Sequence, residues 1–375
     1  MPDTIALGQP TFGPEELAAV ADVLDSGWVA GQGPVGRAFE QRFAELCGAV
    51  DALAANNCTA ALHLAVSGLG AGPGDEVIVA DYTFPATGHA VRYTGARPVF
   101  ADVRPDIWTV DPDAVAAAIT PRTVGVIAVD AFGMPADYDE LTSIATRHGV
   151  WLLEDAACAA GATYRGRPTG SLADAAAFSF HGRKGITAGE GGALVSDRIE
   201  LMSRARKLHF FGIGSALARA GETDLAVPVF DEIGWNYKMS ELAAAVVSAQ
   251  LDRLPSLIAA RRHVADRYAE LLGDLDELQV PVEPADRRTV WQSYVLTLAR
   301  GVERGRVAAA LRTQGIQCTI GTYASHVQPV YGAPARCPVS ADLFARHLAI
   351  PMHANLSDVQ IETVSKAVRD AVTSR

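Results

Sequence analysis

Ala177-Phe178-Ser179-Phe180-His181-Gly182-Arg183-Lys184 leads into a glycine-rich turn that ends Gly189-Glu190-Gly191-Gly192. The stretch opens apolar on nearly every residue, the pattern of a strand buried on both faces. It then breaks at glycine and delivers a lysine just past the strand. A lysine held there is placed to form a Schiff base, and burial and nearby cations are expected to lower its pKa and free the amine. The same residues also fit an ordinary loop lysine. Composition narrows the choice. Of 32 basic side chains only four are lysines, namely Lys184, Lys207, Lys238 and Lys366. The arginine and alanine bias reads as a GC-rich genome, and a lysine kept in a glycine loop stands out against it.

Short apolar runs lie on either side of this stretch, at Glu76–Ala80, Pro98–Ala101, Val124–Val129, Val150–Leu153, Ala176–Phe180 and Ala193–Ser196. Helical patterns fall between them at Thr59–Leu69, Asp111–Ala118 and Tyr138–His148. Pro112 sits early in its helix, where a missing N–H costs little. Strand and helix in alternation predict an α/β sheet covered on both faces. Residues 201–255 read as helical at both ends around a loop containing Gly and Pro. Ser240 is placed to cap an apolar helix that runs to Leu254. Pro255 punctuates the chain, and an arginine-rich helix, Leu257–Leu272, follows. A strand (Trp291–Leu298), a helix (Glu303–Thr313), a short strand, a looped segment and a last helix from about Ser357 complete the chain. The division expected is a large domain over 1–255 and a smaller α+β domain over 256–375.

The 375 residues are 49% hydrophobic and 20% charged. That balance excludes disorder as the main state. A formal charge of −11 argues against a nucleic-acid binder. It leaves room for a local basic pocket that takes a phosphorylated small molecule. Met1–Pro10 has neither the basic start nor the apolar run of a signal peptide. No stretch approaches 18 consecutive apolar residues, so no membrane span is expected. The five cysteines are odd in number and lack a C-x-x-C pair. They predict free thiols in a reducing cytoplasm rather than disulfides or a metal site.

Other segments carry chemistry by position. Trp151-Leu152-Leu153-Glu154-Asp155 ends a buried strand with two carboxylates at the edge where α/β sheets bind ligands. A carboxylate there can keep the ring nitrogen of a pyridine cofactor protonated, and strand alternation turns only one of the two toward it. A helix cap or an ion pair fits the same residues. Asn56-Asn57-Cys58-Thr59-Ala60-Ala61-Leu62 is a strand-to-helix junction, whose free N–H groups suit a phosphate. Thr59 adds a hydroxyl. Asp81-Tyr82-Thr83-Phe84-Pro85-Ala86-Thr87 follows another strand and can lay Phe84 over a planar ring. Gly234-Trp235-Asn236-Tyr237-Lys238-Met239 precedes a helix and offers Asn236 as a further phosphate donor. No Gly-x-Gly-x-x-Gly follows the first strand, which excludes a nicotinamide-dependent oxidoreductase.

In this order and at these spacings, the segments resemble the DegT/DnrJ/EryC1/StrS family of pyridoxal 5'-phosphate (PLP) dependent sugar aminotransferases. The resemblance runs from Ser26-Gly27-Trp28 and Gly33-Pro34 to Ile350-Pro351-Met352-His353. It is most specific over Ser179–Lys184 and Gly189–Gly192. It implies the fold type I aminotransferase architecture, with a mostly parallel seven-stranded sheet in the large domain. It implies that Lys184 forms the internal aldimine and moves the proton, and that Asp155 partners the pyridine nitrogen. Phe84 stacks on the ring, and Cys58, Thr59 and Ser179 cradle the phosphate. Asn236 matches the asparagine that reaches the phosphate of a neighbouring subunit, so a homodimer with shared active sites is implied. His181 follows the family pattern without an assigned step. Tyr323 and His326, in Gly321-Thr322-Tyr323-Ala324-Ser325-His326, match the C-terminal substrate segment.

The chain departs from the family at Cys158, where Gln or His usually stands near the cofactor's phenolic oxygen. A thiol is a weak donor there. The implied reaction passes an amino group, with L-glutamate as donor, through pyridoxamine phosphate to a ketone. The expected acceptor is a nucleotide-linked keto-deoxy sugar. A keto-cyclitol is the alternative, and a non-catalytic PLP-binding regulator is a second. Relatives with histidine in place of the lysine are dehydratases, and Lys184 sets this chain apart from them.

Overall fold

The computed structural model describes residues 4–213, 228–332 and 336–374. Seven strands form one sheet: β1 (Asp51–Ala55), β2 (Glu76–Ala80), β3 (Arg97–Ala101), β4 (Thr123–Val129), β5 (Trp151–Asp155), β6 (Ala175–Ser179) and β7 (Gly192–Ser196). Their order is β1-β7-β6-β5-β4-β2-β3. The pairings from β6 through to β3 are parallel, and β7 runs antiparallel to both its neighbours. β2, β5, β6 and β7 are buried on every residue, as their unbroken apolar runs predict.

Six of the seven match the runs picked out in the sequence. β1 does not stand out there, because Asp51-Ala52-Leu53-Ala54-Ala55 has no β-branched or aromatic residue and little strand preference. It forms because β7 gives it a complete partner, from Asp51 opposite Ser196 to Ala55 opposite Gly192. β1 leads through Asn56 and Asn57 into helix α1 (Cys58–Gly68), where the Asn57 side chain accepts from the Ala60 N–H at 2.8 Å. The helix start lies so close to β7 that a Cβ at Gly192 would sit 2.5 Å from the Cys58 nitrogen. Only glycine allows that approach. Helix α2 (Ala86–Tyr93) follows β2 in the same way.

Pro255 does not end a helix, contrary to expectation. Helix α3 runs unbroken from Glu241 to Leu272. Ser240 caps it by accepting from the Ala243 N–H at 3.2 Å, as predicted. The proline removes one backbone bond, to the carbonyl of Leu251. Packing on both sides of that point carries the helix through. Leu254 and Leu257 belong to the core beside the large sheet, and Val264, Tyr268 and Leu272 to the core of a second sheet. The residue-255 boundary therefore falls inside one helix. By length and composition alone α3 could cross a bilayer. It buries Glu241, Gln250 and Arg261, and Arg253 pairs with Glu16 at 2.8 Å. That pattern is one of a core helix.

The second sheet is antiparallel, ordered β8 (Leu278–Gln279), β9 (Tyr294–Leu298), β11 (His347–Ile350), β10 (Thr319–Ile320). Helices Arg304–Thr313 and Asp358–Thr373 pack on it through Val307, Leu311, Val364 and Val368. Ser357 caps the last helix. After β10 the chain crosses back, and Tyr323–Ala324 pairs with Tyr82–Thr83 just beyond β2. Residues 214–227, within the expected Gly- and Pro-containing loop, lie outside the described residues.

Candidate active site

The parallel strands all end on one edge, and the return of residues 319–323 roofs that edge. Between them lies a cavity of about 380 Å³. Cys58, Thr59, Phe84, Asp155, Cys158, Ser179, His181, Lys184 and Tyr323 all line it. The sequence placed these nine residues on separate segments. The topology brings them together, because strand ends, helix starts and the Gly-rich turn meet at one sheet edge.

Lys184 follows β6 through a tight turn, in which its N–H donates to the His181 carbonyl at 2.9 Å. Its Nζ lies 3.0 Å from the Cys158 Sγ. The expected lowering of its pKa is overturned. Burial pulls in that direction, but Cys158, Cys58 and Asp155 pull the other way and outweigh it, so the group sits above the ordinary lysine value. The amine faces thiols and a carboxylate where cations were expected. Burial also pushes the Cys58 thiol well up, and Lys184 works against that rise.

Of the two carboxylates ending β5, Asp155 lines the cavity. Glu154 points away and accepts from the Gly170 N–H at 3.0 Å. This is the alternation expected of a strand. Asp155 Oδ2 accepts from the Thr87 hydroxyl at 2.7 Å, and Oδ1 from the Ala157 N–H at 3.2 Å. Burial raises its pKa, and those two donors and Lys184 work against the rise. Asp130, at the end of β4, also lines the cavity and accepts from the Tyr138 hydroxyl at 2.8 Å. Burial carries Asp130 to about 7. Burial and the neighbouring Asp130 push Glu154 well above the carboxylate range.

The other wall suits an anion. The first N–H groups of α1 have no partner within the helix by geometry, and they carry the positive end of its dipole. Thr59 and Ser179, both with hydroxyls, line the same cavity. Phe84 is 63% exposed at the rim, its ring edge-on to Tyr323 at 6.0 Å. His181 reaches toward Glu190 at 3.8 Å. A half-buried lysine, a carboxylate, two hydroxyl side chains and a helix start around one cavity fit the donor set PLP requires.

Two predicted residues lie elsewhere. His326 does not line the cavity. Its Nδ1 and backbone N–H both meet the Asp81 carboxylate, at 2.6 and 2.7 Å, and Ser340 bonds the same carboxylate. With Cys337, Asp81 and His326 form a trio of potential metal-ligand side chains, and the hydrogen bonds from His326 and Ser340 already occupy Asp81. Asn236 lies on the outer surface, where it accepts from the Lys238 ammonium. Lys238 rests over the Phe210 and Phe211 rings at 4.4 and 4.6 Å.

Three contributors went unseen in the sequence. Thr87 lay in a segment quoted for Phe84, four residues after Thr83, and the two hydroxyls meet at 2.9 Å. Asp130 lies just past the end of β4, as Asp155 lies at the end of β5, and that position was the available signal. Gln292 lines the cavity and donates from Nε2 to the Arg183 carbonyl at 3.0 Å. No local pattern marks it.

Comparison with known proteins agrees with this geometry. The family model described as the DegT/DnrJ/EryC1/StrS aminotransferase family matches residues 10–369. The spore coat polysaccharide biosynthesis protein SpsC of Bacillus subtilis (strain 168) is 36% identical over 373 residues, 97% of this chain and 96% of that protein. The structure of DesI in the presence of its TDP-sugar product superposes with a TM-score of 0.90 at 36% identity, covering 100% of this chain and 94% of that one. The PLP form of the putative sugar aminotransferase Spr1654 from Streptococcus pneumoniae gives 0.92 at 25% identity, with 98% of each chain covered. With its fold, its site and these matches in agreement, the chain belongs to the DegT/DnrJ/EryC1/StrS aminotransferase family and is an aminotransferase.

Proposed function

We propose that this aminotransferase moves an amino group from L-glutamate to a nucleotide-linked keto-deoxy sugar, at C3 or C4, with PLP as its cofactor. The observation that carries the reading is the half-buried Lys184, whose amine shares one cavity with Asp155. The TDP-sugar product of DesI and the polysaccharide role of SpsC support the acceptor class. PLP supplies a carbonyl that exchanges oxygen for an amino group, and a ring that draws electrons from the carbon losing its proton.

The chain's own residues do the rest. Asp155, held by Thr87 and Ala157, orients a cationic ring nitrogen. A carboxylate so engaged no longer stabilises the Lys184 ammonium, which favours the neutral amine. Lys184 then takes a proton at Nζ from one carbon and returns it to another. Thr59, Ser179 and the start of α1 hold the phosphate. Phe84 covers the ring face at the rim, and Tyr323 and His181 face the substrate. Cys158 accepts from Lys184 and steers its amine. Asn236, on a surface that exposes Phe211, Phe230 and Ile233, completes the phosphate site of a second copy in a homodimer. All five cysteines are free, in keeping with a reducing cytoplasm.

A two-stage absorbance experiment tests the reaction. With PLP added, L-glutamate is expected to discharge the visible band of the protein. After glutamate is removed, a dTDP-4-keto-6-deoxy sugar is expected to restore it. A band that glutamate discharges and the sugar leaves unrestored assigns another ketone, and the cyclitol reading takes over. A band indifferent to every amino donor favours the regulator. For the shared site, mixed dimers of Lys184→Ala and Asn236→Ala subunits are expected to regain activity that neither parent has. Hybrids as inactive as both parents would remove Asn236 from the partner's site.

A further inference from the structure

Arg261 is an arginine in the middle of α3, only 4% exposed. Among the described residues no carboxylate pairs with it, which is unusual for so buried a charge. Its partners are backbone carbonyls from three parts of the chain. Nη1 points at the carbonyls of Trp291, Gln292 and Met352 at 3.3, 3.3 and 3.4 Å. Nη2 donates to the carbonyl of Lys184 itself at 3.2 Å. One residue earlier in that turn, the Arg183 carbonyl accepts from Gln292 Nε2 at 3.0 Å.

We infer that Arg261 is a positioning residue for the reaction: its guanidinium clamps the backbone of Lys184 and fixes where the amine can reach. A converging set of carbonyl dipoles replaces the missing counter-ion, and the planar five-donor fork is the side chain that can meet them together. Burial lowers its pKa to about 10, so it remains charged at neutral pH. Burial and that charge hold His353 neutral, with a pKa of about 4. α3 contributes to the cores of both sheets, so the clamp ties the Lys184 turn to the helix that joins them. A mobile Lys184 backbone would misplace Nζ by amounts that cost about 100-fold in rate.

The inference rests on the proposed role of Lys184, and the test separates the two. The free chain is treated with a limiting amine-acylating reagent, and each lysine peptide is quantified by mass. Only four lysines compete. In Arg261→Met the labelling of Lys184 relative to Lys207 and Lys366 is expected to rise at least threefold. In the PLP-loaded enzyme kcat is expected to fall 10- to 100-fold, with KM for the donor within threefold. Arg261→Lys, which keeps the charge and loses the fork, is expected to fall between Met and wild type, and it decides the matter if the Met variant does not fold. An unchanged labelling ratio with kcat within twofold in the variants that fold overturns the clamp. Full turnover in Lys184→Ala would instead overturn the role of Lys184, whatever the labelling ratio.

Discussion

The two ends of the large sheet each bury carboxylates, and they treat them in opposite ways. At the N-terminal edge Glu76 opens β2 and is 1% exposed. Arg97, directly opposite it on β3, and Arg122 both bond its Oε1, and the Thr120 hydroxyl donates to Oε2 at 2.7 Å. Burial pushes its pKa up, but these donors outweigh burial and bring it down to about 2. At the C-terminal edge Asp155, Asp130 and Glu154 have no arginine among their hydrogen-bond partners in the described residues, and burial raises the pKa of all three above their ordinary values. An edge with its charges matched inside the chain has nothing left to recognise. An edge whose charges are unmatched has kept them for a ligand.

The strongest way to break this contrast is to neutralise one carboxylate at each end. Asp155→Asn is expected to lower kcat/KM by about 10²–10⁴-fold, the span of a positioned ionisable group. Its melting temperature is expected to hold or rise, because a desolvated charge is removed. Glu76→Gln is expected to leave turnover within about twofold and to lose about 1–2 kcal/mol of stability. The figure stays small because both guanidinium groups face water and are screened. Turnover lost in the Glu76 variant, or kept in the Asp155 variant, would show that the two edges do not divide structure from chemistry.

The sequence made one of these edges more legible than the other. Uniformly apolar runs marked six of the seven large-sheet strands, and the glycines after β6 marked the turn that delivers Lys184. β1 was silent because alanine has little strand preference and pairing with β7 makes up for it. Pro255 misled because proline ends a helix only where packing does not override the lost bond. Nine site residues were legible because they sit at or near strand ends and helix starts, local and recurrent positions. His326 was misplaced because its partner, Asp81, lies 245 positions away. Arg261 and Gln292 were invisible for the same reason: they act on backbone carbonyls far along the chain, which leave no trace in the sequence.

A smaller effect sharpens the comparison through stability alone. Glu76 titrates at about 2 in the fold against an ordinary value of 4.5. Its contribution is complete above 4.5 and is lost as pH falls from there toward 2, because the unfolded chain binds the proton first. Asp130 shifts the opposite way, to about 7 against 3.8. The folded chain keeps that proton longer than the unfolded one. Its contribution is therefore complete below 3.8 and is lost as pH rises toward 7. Denaturant melts between pH 3 and 8 are expected to show stability falling at both ends. Glu76→Gln is expected to flatten the acid limb and Asp130→Asn the limb from about 4 to 7, each by an amount on the order of 1–3 kcal/mol. Glu154, coupled to Asp130 and shifted the same way, adds to the second limb and keeps Asp130→Asn from abolishing it. If both variants flatten the same limb, the two edges are not electrostatically opposite.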